Sequence, residues 1–181
     1  MGAGFCRNLG LRIANSRYTA FIDSDDKWTS NKISEQVNFM ELNKFDFSYT
    51  NYTTFTEKDI LREIKPPKIM NFNSFVKNTS ICTSSMMIST KYARGHKFTK
   101  TKICEDYFYK CSLLKKLKKA NCLNLSLTKY RIREDSMQSN KFQNIYWIWK
   151  INKKYNKFNF FKNFISIVLI SINSLKKYGF K

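Results

Sequence analysis

This 181-residue chain contains few histidines, prolines, glycines or acidic residues. It has one histidine (His96), two adjacent prolines (Pro66 and Pro67) and five glycines. Its five cysteines include no C-x-x-C pair, which excludes the usual zinc site and argues against a disulfide framework. The longest apolar run, Phe164–Ile172, is interrupted by two serines and is too short to span a bilayer. We therefore expect a protein of a reducing cytoplasm that does not cross a membrane.

The shortage of acidic residues is concentrated in the second half of the chain. The whole sequence has 33 basic and 13 acidic residues, for a net charge of +20. Residues 1–90 hold 11 basic and 9 acidic residues, whereas residues 91–181 hold 22 basic and 4 acidic residues. The second half therefore predicts an anionic neighbour: a phosphorylated ligand, a nucleic acid or an acidic membrane face.

Hydrophobic periodicity predicts strands alternating with helices, which indicates an α/β fold. The predicted strands are Tyr18–Ile22, which we expect to be buried, Phe47–Tyr52, Ile81–Ser89 and Leu123–Ile132. The predicted helices are Asn31–Asn43, with Ile33, Gln36, Val37 and Met40 on its apolar face, a helix starting at Glu105, and basic amphipathic helices at 142–154 and 159–176. We divide the chain into a main unit, residues 1–138, and the basic helices, residues 139–181.

An acidic turn, Asp23-Ser24-Asp25-Asp26, directly follows the first predicted strand. If the turn is extended, Asp23 and Asp25 project to the same side, because side chains alternate with a period of two. Two carboxylates so placed can hold Mg²⁺ or Mn²⁺ together with substrate phosphates. The alternative is a simple acidic turn leading into the next helix.

Glu105 and Asp106 form a second acidic pair, in the otherwise basic half of the chain. A carboxylate at a helix start beside a cationic surface can act as a general base toward a hydroxyl. The alternative is that both residues only complement the helix dipole.

Two polar segments are weaker candidates. Arg7, Asn8 and Gly10 are predicted to form a loop that contacts a nucleotide or phosphate, or else a simple turn. Gly95 and His96 are predicted to form a loop that follows a strand beside a site. The lysine pairs of the C-terminal half are read either as solvated faces or as sites for lipid headgroups and diphosphates.

The chain resembles the inverting family 2 glycosyltransferases. The resemblance rests on ordered segments: Cys6-Arg-Asn-Leu-Gly-Leu, Tyr18-Thr-Ala-Phe-Ile-Asp-Ser-Asp-Asp-Lys-Trp28, Lys32-Ile33 with Gln36, Thr83–Ile88, Glu105-Asp106-Tyr107 and Tyr130-Arg131. It implies a GT-A fold, with transfer of a sugar from a nucleoside-diphosphate sugar, a UDP-sugar in our interpretation. The acceptor would be a hydroxyl of a growing cell-surface or lipid-linked saccharide.

The resemblance also implies roles for individual residues. Asp23 and Asp25 would hold the metal and the donor, and Arg7 and Asn8 would lie on its nucleotide side. Asp106 would be the catalytic base. Ser84, Gly95 and Glu105 would lie on the side of the acceptor or donor sugar.

Three positions depart from the family pattern, and one region of that pattern is missing from this chain. Cys6 and Ser16 replace Ala and Gly, and Arg133 stands where many relatives have a histidine near the metal. Relatives begin with a V-S-[VI]-I-[IV]-P-x-Y-N segment and a later V-D-D-G-S segment. Neither is present, so we expect an N-terminally truncated GT-A domain.

The alternatives that remain are a catalytically inactive remnant of the family and a basic nucleic-acid-binding module. The ordered acidic motifs argue against the second, so we expect no nucleic-acid partner. We expect the protein in the cytoplasm. Its C-terminal basic helices either contact the anionic inner face of the membrane or pack on the sheet.

Overall fold

The computed structural model of the chain describes residues 2–57, 59–132 and 141–179. The strands are β1 Tyr18–Ala20, β2 Lys27–Trp28, β3 Phe47–Phe55, β4 Ile60–Ile64, β5 Ile69–Asn71, β6 Met87–Ser89 and β7 Lys119–Arg131. The helices are α1 Ala3–Ile13, α2 Lys32–Asn43, α3 Phe72–Phe75, α4 Thr90–Arg94, α5 Glu105–Leu117, α6 Lys141–Lys154 and α7 Phe160–Tyr178.

The seven strands form one mixed sheet. Its main path runs β1-β6-β3-β7-β2, with β4 beside β3 and β5 beside β7. Only the central pair, β3 with β7, is parallel, and the other pairs are antiparallel. The α/β prediction is confirmed.

The long central strand β3 explains where the core lies. Its sequence FSYTNYTTF is rich in aromatic and β-branched residues, which favour strands, and it is buried along almost its whole length. Tyr49 and Tyr52 have no more than 2% of their surface exposed. Against the sheet, α5 contributes two stacked aromatic pairs. The ring centres of Tyr107 and Phe75 are 5.6 Å apart, and those of Tyr109 and Phe98 are 4.0 Å apart.

Two strand predictions need correction. Tyr18–Ile22 was expected to be a buried strand, but β1 has only three half-buried residues at one end of the sheet path. Ile81–Ser89 was expected to be one strand, but Thr83–Ser85 form a 3-10 turn and only Met87–Ser89 pair in the sheet. Thr83 and Ser84 of this turn donate to the carboxylates of Asp106 and Asp26, so the segment follows these hydrogen bonds rather than the sheet.

The predicted face of α2 is confirmed at Gln36 and Met40, which are fully buried, and is wrong at Ile33, which is 45% exposed. Lys32, which was not predicted to face inward, is also fully buried. Lys32 Nζ donates to Gln36 Oε1 at 2.6 Å and lies 4.3 Å from the centre of the Trp28 ring. A polar network therefore occupies part of the face that periodicity predicted to be apolar.

Gln36 continues this network toward the 3-10 turn. Its Nε2 donates to Ser48 Oγ at 3.0 Å and to the Ser85 carbonyl at 3.1 Å. Trp28 Nε1 donates to the Ser84 carbonyl at 2.7 Å. The residues that α2 buries therefore hold the turn that carries Ser84 in place.

Buried Lys32 leads to a prediction about alkaline pH. Burial lowers the pKa of Lys32 to about 8, against roughly 10.4 for an unfolded lysine. At a pH between these two pKa values, Lys32 is mostly protonated in the unfolded chain and mostly neutral in the folded protein. The unfolded chain therefore binds more protons, and the unfolding free energy rises with pH. We expect the unfolding free energy of the wild type, relative to Lys32→Met, to rise by about 2–3 kcal/mol between about pH 7 and pH 10. Urea titrations of both proteins across that range measure it, and parallel pH curves would contradict it.

Candidate active site

The acidic turn is a hydrogen-bonded turn rather than an extended segment. Asp26 N donates to the Asp23 carbonyl at 3.0 Å, so the period-two argument that placed Asp23 and Asp25 on one side does not apply. The turn instead presents three carboxylates in different surroundings. Asp23 and Asp25 are partly exposed, and Asp26 is buried.

Asp26 anchors the turn to the rest of the protein. Its Oδ2 accepts from Ser84 Oγ at 2.5 Å, and its Oδ1 accepts from Arg131 N at 2.9 Å. Burial raises the pKa of Asp26 to about 6, although both of these hydrogen bonds favour the charged form. Arg131 Nε also donates to the Asp25 carbonyl at 3.2 Å. Asp26 therefore fixes the backbone that carries Asp23 and Asp25.

Asp106 lies in the first turn of α5 and is held in the ionised form. Its Oδ2 accepts from Lys110 Nζ at 2.8 Å and from Thr83 Oγ1 at 3.0 Å, and its Oδ1 accepts from Tyr107 N at 2.8 Å. Burial raises the pKa of Asp106, but the charges of Lys110 and Arg7 and the Thr83 hydrogen bond hold it well below its usual range. The side chain is 22% exposed, so this ionised carboxylate remains accessible to a ligand.

Two consecutive residues join the acidic turn to Asp106. Thr83 donates to Asp106, while Ser84 donates to Asp26 and accepts from Asp23 N at 3.0 Å. Ser84 is fully buried, so it supports the turn from within. The 3-10 turn is thus the structural link between the two acidic elements that the sequence singled out.

Arg7 makes a second link. Its guanidinium donates to Asp23 Oδ1, and its Nη1 donates to Glu105 Oε1 at 2.7 Å. The Arg7 side chain is 14% exposed and the Glu105 side chain 15%. Burial raises the pKa of Glu105, as does the neighbouring charge of Asp106, against the opposing effect of Arg7. Arg7 therefore lies between the turn and the start of α5.

The predicted polar loop at Arg7 and Asn8 is wrong, because both residues lie in helix α1. Asn8 exchanges two hydrogen bonds of 2.9 Å with the backbone of Phe98, so it holds α1 against the segment before α5. Gly10 has no neighbouring atom where a Cβ would be placed and does not take part in the site.

Gly95 also differs from its prediction. It follows helix α4 rather than a strand, is exposed, and has no described contact with the acidic turn or Asp106. Arg133, which replaces the histidine of many relatives, lies outside the described residues.

Sequence reasoning assigned no role to three contributors to the site: Asp26, Lys110 and Arg131. Lys110 had a signal, because a lysine four residues after an acidic residue pairs with it on a helix. Asp26 and Arg131 are 105 positions apart, and only the pairing of β7 with the rest of the sheet brings them together.

The residues suit a hard divalent cation only in part. Among the residues that the structure describes, no group of three or more His, Cys, Asp or Glu side chains is arranged to hold a metal. Asp23 and Asp25 supply carboxylate oxygens, which are the ligands that Mg²⁺ and Mn²⁺ prefer. A cation bound here would have to take its remaining ligands from a bound phosphate, and it would share Asp23 with Arg7.

Comparison with known proteins relates this site to a family. Escherichia coli WfaP, a UDP-Glc:alpha-D-GlcNAc-diphosphoundecaprenol beta-1,3-glucosyltransferase, is 38% identical over 146 residues, which are 80% of this chain and 57% of WfaP. The putative teichuronic acid biosynthesis glycosyltransferase TuaG of Bacillus subtilis is 30% identical over 178 residues, which are 97% of this chain and 71% of TuaG. This chain therefore spans between about half and three quarters of the length of these relatives.

Solved structures show the same fold. S. aureus TarS 1-349 in complex with UDP-GlcNAc matches with a TM-score of 0.64 and 16% identity, over 82% of this chain and 46% of TarS. This likeness confirms the predicted GT-A fold. Residues 2–99 match the Glycosyl transferase family 2 domain, a stretch that includes α1, the acidic turn and the 3-10 turn. The chain belongs to glycosyl transferase family 2.

Proposed function

We propose that this protein transfers a sugar from a UDP-sugar to a hydroxyl of a lipid-linked or cell-surface saccharide, with inversion at the anomeric carbon. The observation that carries the proposal is the linkage of two acidic elements through Thr83 and Ser84. It holds an ionised, partly exposed Asp106 in a fixed relation to the acidic turn. Asp106 suits a general base, and the acidic turn suits the cation that would bind a donor diphosphate.

Asp106 is the proposed base. Its Oδ2 already accepts two hydrogen bonds, whereas the only side-chain or backbone donor described for Oδ1 is Tyr107 N. Oδ1 therefore keeps a lone pair for the acceptor hydroxyl. As the hydroxyl oxygen bonds to the anomeric carbon, its proton passes to Asp106 Oδ1. The bond from the anomeric carbon to the diphosphate oxygen breaks, and the nucleoside diphosphate leaves with that electron pair.

The acidic turn is the proposed donor side. Asp23 and Asp25 would hold Mg²⁺ or Mn²⁺, which when bound neutralises charge on the leaving diphosphate. Arg7 is on the nucleotide side and can move its hydrogen bonds from Asp23 to a phosphate oxygen, because a guanidinium donates equally well to either anion. Asn8 supports Arg7 by fixing α1 to Phe98.

The remaining predicted residues take supporting roles on the sugar side. Ser84 fixes the turn from within, and Glu105 orients Arg7. Gly95, which is exposed and apart from the described contacts, would serve only as part of the outer edge of the sugar site. Two facts support the choice of substrates: WfaP is named for a UDP-Glc donor and a diphosphoundecaprenol acceptor, and TarS is solved with UDP-GlcNAc.

The cytoplasm is the proposed location. All five cysteines lie in the described part of the chain and all are free, as expected where thiols are kept reduced. No helix among the described residues has the length and apolar character needed to cross a membrane.

Binding of UDP tests the proposed donor side. We expect calorimetry to show UDP binding that needs Mn²⁺ and that falls by about tenfold or more in Asp25→Ala, because the cation loses a charged ligand. Asp59→Ala is the matched control, since Asp59 is an exposed aspartate in a different loop and its replacement should leave binding unchanged.

Each outcome of this experiment is informative. Binding without Mn²⁺, or equal binding by Asp25→Ala, would overturn the metal site while leaving a UDP donor in place. Absence of UDP binding by the wild type, with a normal unfolding transition, would overturn the UDP-sugar assignment. Salt-sensitive binding of RNA or DNA that is indifferent to Asp25 would favour a nucleic-acid-binding module instead.

A further inference from the structure

Helix α7 turns inward a side that carries two buried polar residues, while its aromatic side faces outward. Its buried residues are Asn163, Ser166 and Ile170, two of which are polar. Its exposed residues include Phe160, Phe161, Phe164 and Ile165, which by helical spacing share the opposite side. A helix on a globular protein normally buries its apolar face. The apolar face of α7 is therefore left without cover by the described part of the chain.

Specific hydrogen bonds fix this orientation. Ser166 Oγ donates to the Val76 carbonyl at 2.5 Å, and Asn163 Nδ2 donates to the Trp149 carbonyl at 3.1 Å. Buried Asn152 of α6 donates to both Asn163 Oδ1 and Ser166 Oγ at 3.1 Å. Turning α7 to bury its apolar face would break these bonds and leave buried polar groups unpaired, which costs about 1–3 kcal/mol for each group.

The outward surface is large and continues onto α6. Phe161 is 75% exposed and Phe160 65%, and the ring of Phe160 lies 5.6 Å from that of Trp149 on α6. Large exposed apolar patches mark sites of interaction with proteins or membranes. We call this surface the aromatic face. It consists of Phe142, Tyr146, Phe160, Phe161, Phe164 and Ile165, which are 52–86% exposed.

The segment that carries the aromatic face has only basic charged residues. Eight lysines lie between residues 141 and 178, and the sequence from Ser136 to Lys181 contains no aspartate or glutamate. Lys153 and Lys162 are exposed, and Lys150 Nζ lies 4.4 Å from the centre of the Tyr146 ring. Aromatic side chains flanked by lysines are typical of helices that lie in the interface of an anionic bilayer.

We infer that the aromatic face is a docking surface for an anionic lipid bilayer, with the Phe side chains inserted at the level of the headgroups and the lysines on lipid phosphates. A protein partner with an apolar patch would not require a surface free of acidic residues, whereas an anionic membrane does. The inference goes beyond the proposed function and does not depend on it, because the site residues described above are not part of the aromatic face.

Vesicle co-sedimentation of the full chain tests the inference. We expect binding to vesicles of phosphatidylcholine with added phosphatidylglycerol, and weak binding to phosphatidylcholine alone. Phe161→Ser with Phe164→Ser should weaken the partition by about tenfold or more, because the inserted apolar area is lost. Lys153→Gln, Lys154→Gln and Lys162→Gln together should weaken it by about 10- to 100-fold.

Matched controls distinguish vesicle binding through the aromatic face from non-specific apolar or electrostatic binding and from misfolding. Ile13 and Leu42 are 76% and 83% exposed on other helices, so Ile13→Ser with Leu42→Ser should bind vesicles like the wild type. Lys100→Gln, Lys116→Gln and Lys119→Gln together should bind within about threefold of the wild type, since these lysines lie off the aromatic face but contribute some long-range attraction. Each variant is first required to show the wild-type thermal unfolding transition.

Two results would overturn the inference. One is equal partition of the wild type and the Phe161→Ser, Phe164→Ser variant. The other is no vesicle binding together with a dimer in light scattering that this variant dissociates, which would assign the aromatic face to a second copy of the chain.

Discussion

Asp106→Asn is expected to lower the rate of sugar transfer by about 10²- to 10⁴-fold while UDP binding with Mn²⁺ persists. This is the usual contribution of general base catalysis, and an amide cannot take the proton of the acceptor hydroxyl. An asparagine at this position can still accept the hydrogen bond from Thr83 Oγ1, so the link to the 3-10 turn is kept. The measurement is release of UDP from UDP-sugars in the presence of the proposed saccharide acceptors, with donor binding followed separately by calorimetry.

Glu105→Gln is the matched control for the base. Glu105 precedes Asp106 in the same helical turn, and its Oε1 accepts from Arg7 rather than from Thr83 and Lys110. We expect its replacement to lower transfer by less than about tenfold, through a loosened Arg7. Full loss of transfer in Glu105→Gln with activity retained in Asp106→Asn would exchange the two roles. Equal activity of all three proteins would contradict base catalysis from this helix.

The parts of the fold that could be predicted from the sequence are those governed by local pattern. Strand β3 has consecutive β-branched and aromatic residues, and α5 has regular apolar spacing after two acidic residues. The predicted starts of both, Phe47 and Glu105, are therefore confirmed, although β3 extends to Phe55 rather than Tyr52. Helices α6 and α7 were found for the same reason. Their spacing identifies two faces, but it does not say which face is turned inward.

The parts that failed are those where polar groups find partners far along the chain. Helix α1 was expected to be a loop because Arg7 and Asn8 are polar, but they pair with Asp23, Glu105 and the backbone of Phe98. Lys32 can lie in the interior because its ammonium group donates to the Gln36 side chain and lies over the Trp28 ring. Periodicity assigns such residues to the surface, since it cannot represent a partner up to 98 positions away.

The candidate site likewise has parts that the sequence predicts and parts that it does not. The acidic turn and Asp106 could be found from motif order, but their linkage through Thr83 and Ser84 could not, because the segment was expected to be a strand. The structure also shows two groups of ion pairs that meet at the neighbouring residues Glu105 and Asp106: Arg7 pairs with Asp23 and Glu105, and Lys110 pairs with Asp106. Because the charge of Arg7 also acts on Asp106, a change at Asp23 or Arg7 is expected to alter the ionisation of Asp106.

Lys110→Met is expected to be among the most destabilising single changes at the site. Lys110 is 4% exposed, and its ammonium is the nearest cation to Asp106 in the described structure. Methionine fits the space of the lysine stem, but it leaves the Asp106 carboxylate without its main counter-ion. Removing one partner of a buried pair costs about 3–5 kcal/mol, and the 22% exposure of the Asp106 side chain lowers the expected loss below this range, to about 2–3 kcal/mol at neutral pH.

The pH dependence of this loss identifies its cause. The pKa of Asp106 in the folded protein is held well below that of an unfolded aspartate, so the pair stabilises the fold above about pH 4, and this contribution is lost as pH falls further. The difference in unfolding free energy between the wild type and Lys110→Met should therefore narrow as the pH falls below about 4. Urea unfolding at several pH values measures it.

A double-mutant cycle separates the ion pair from packing. Because Asp106→Asn removes the charge that Lys110 neutralises, adding Lys110→Met to Asp106→Asn should cost at least about 1.5 kcal/mol less than Lys110→Met in the wild type. Lys116→Met, an exposed change on the same helix, should alter stability by no more than about 0.5 kcal/mol. A coupling energy below about 0.5 kcal/mol would mean that Lys110 stabilises α5 by packing alone, and that Asp106 keeps its ionised form through Arg7 and Thr83.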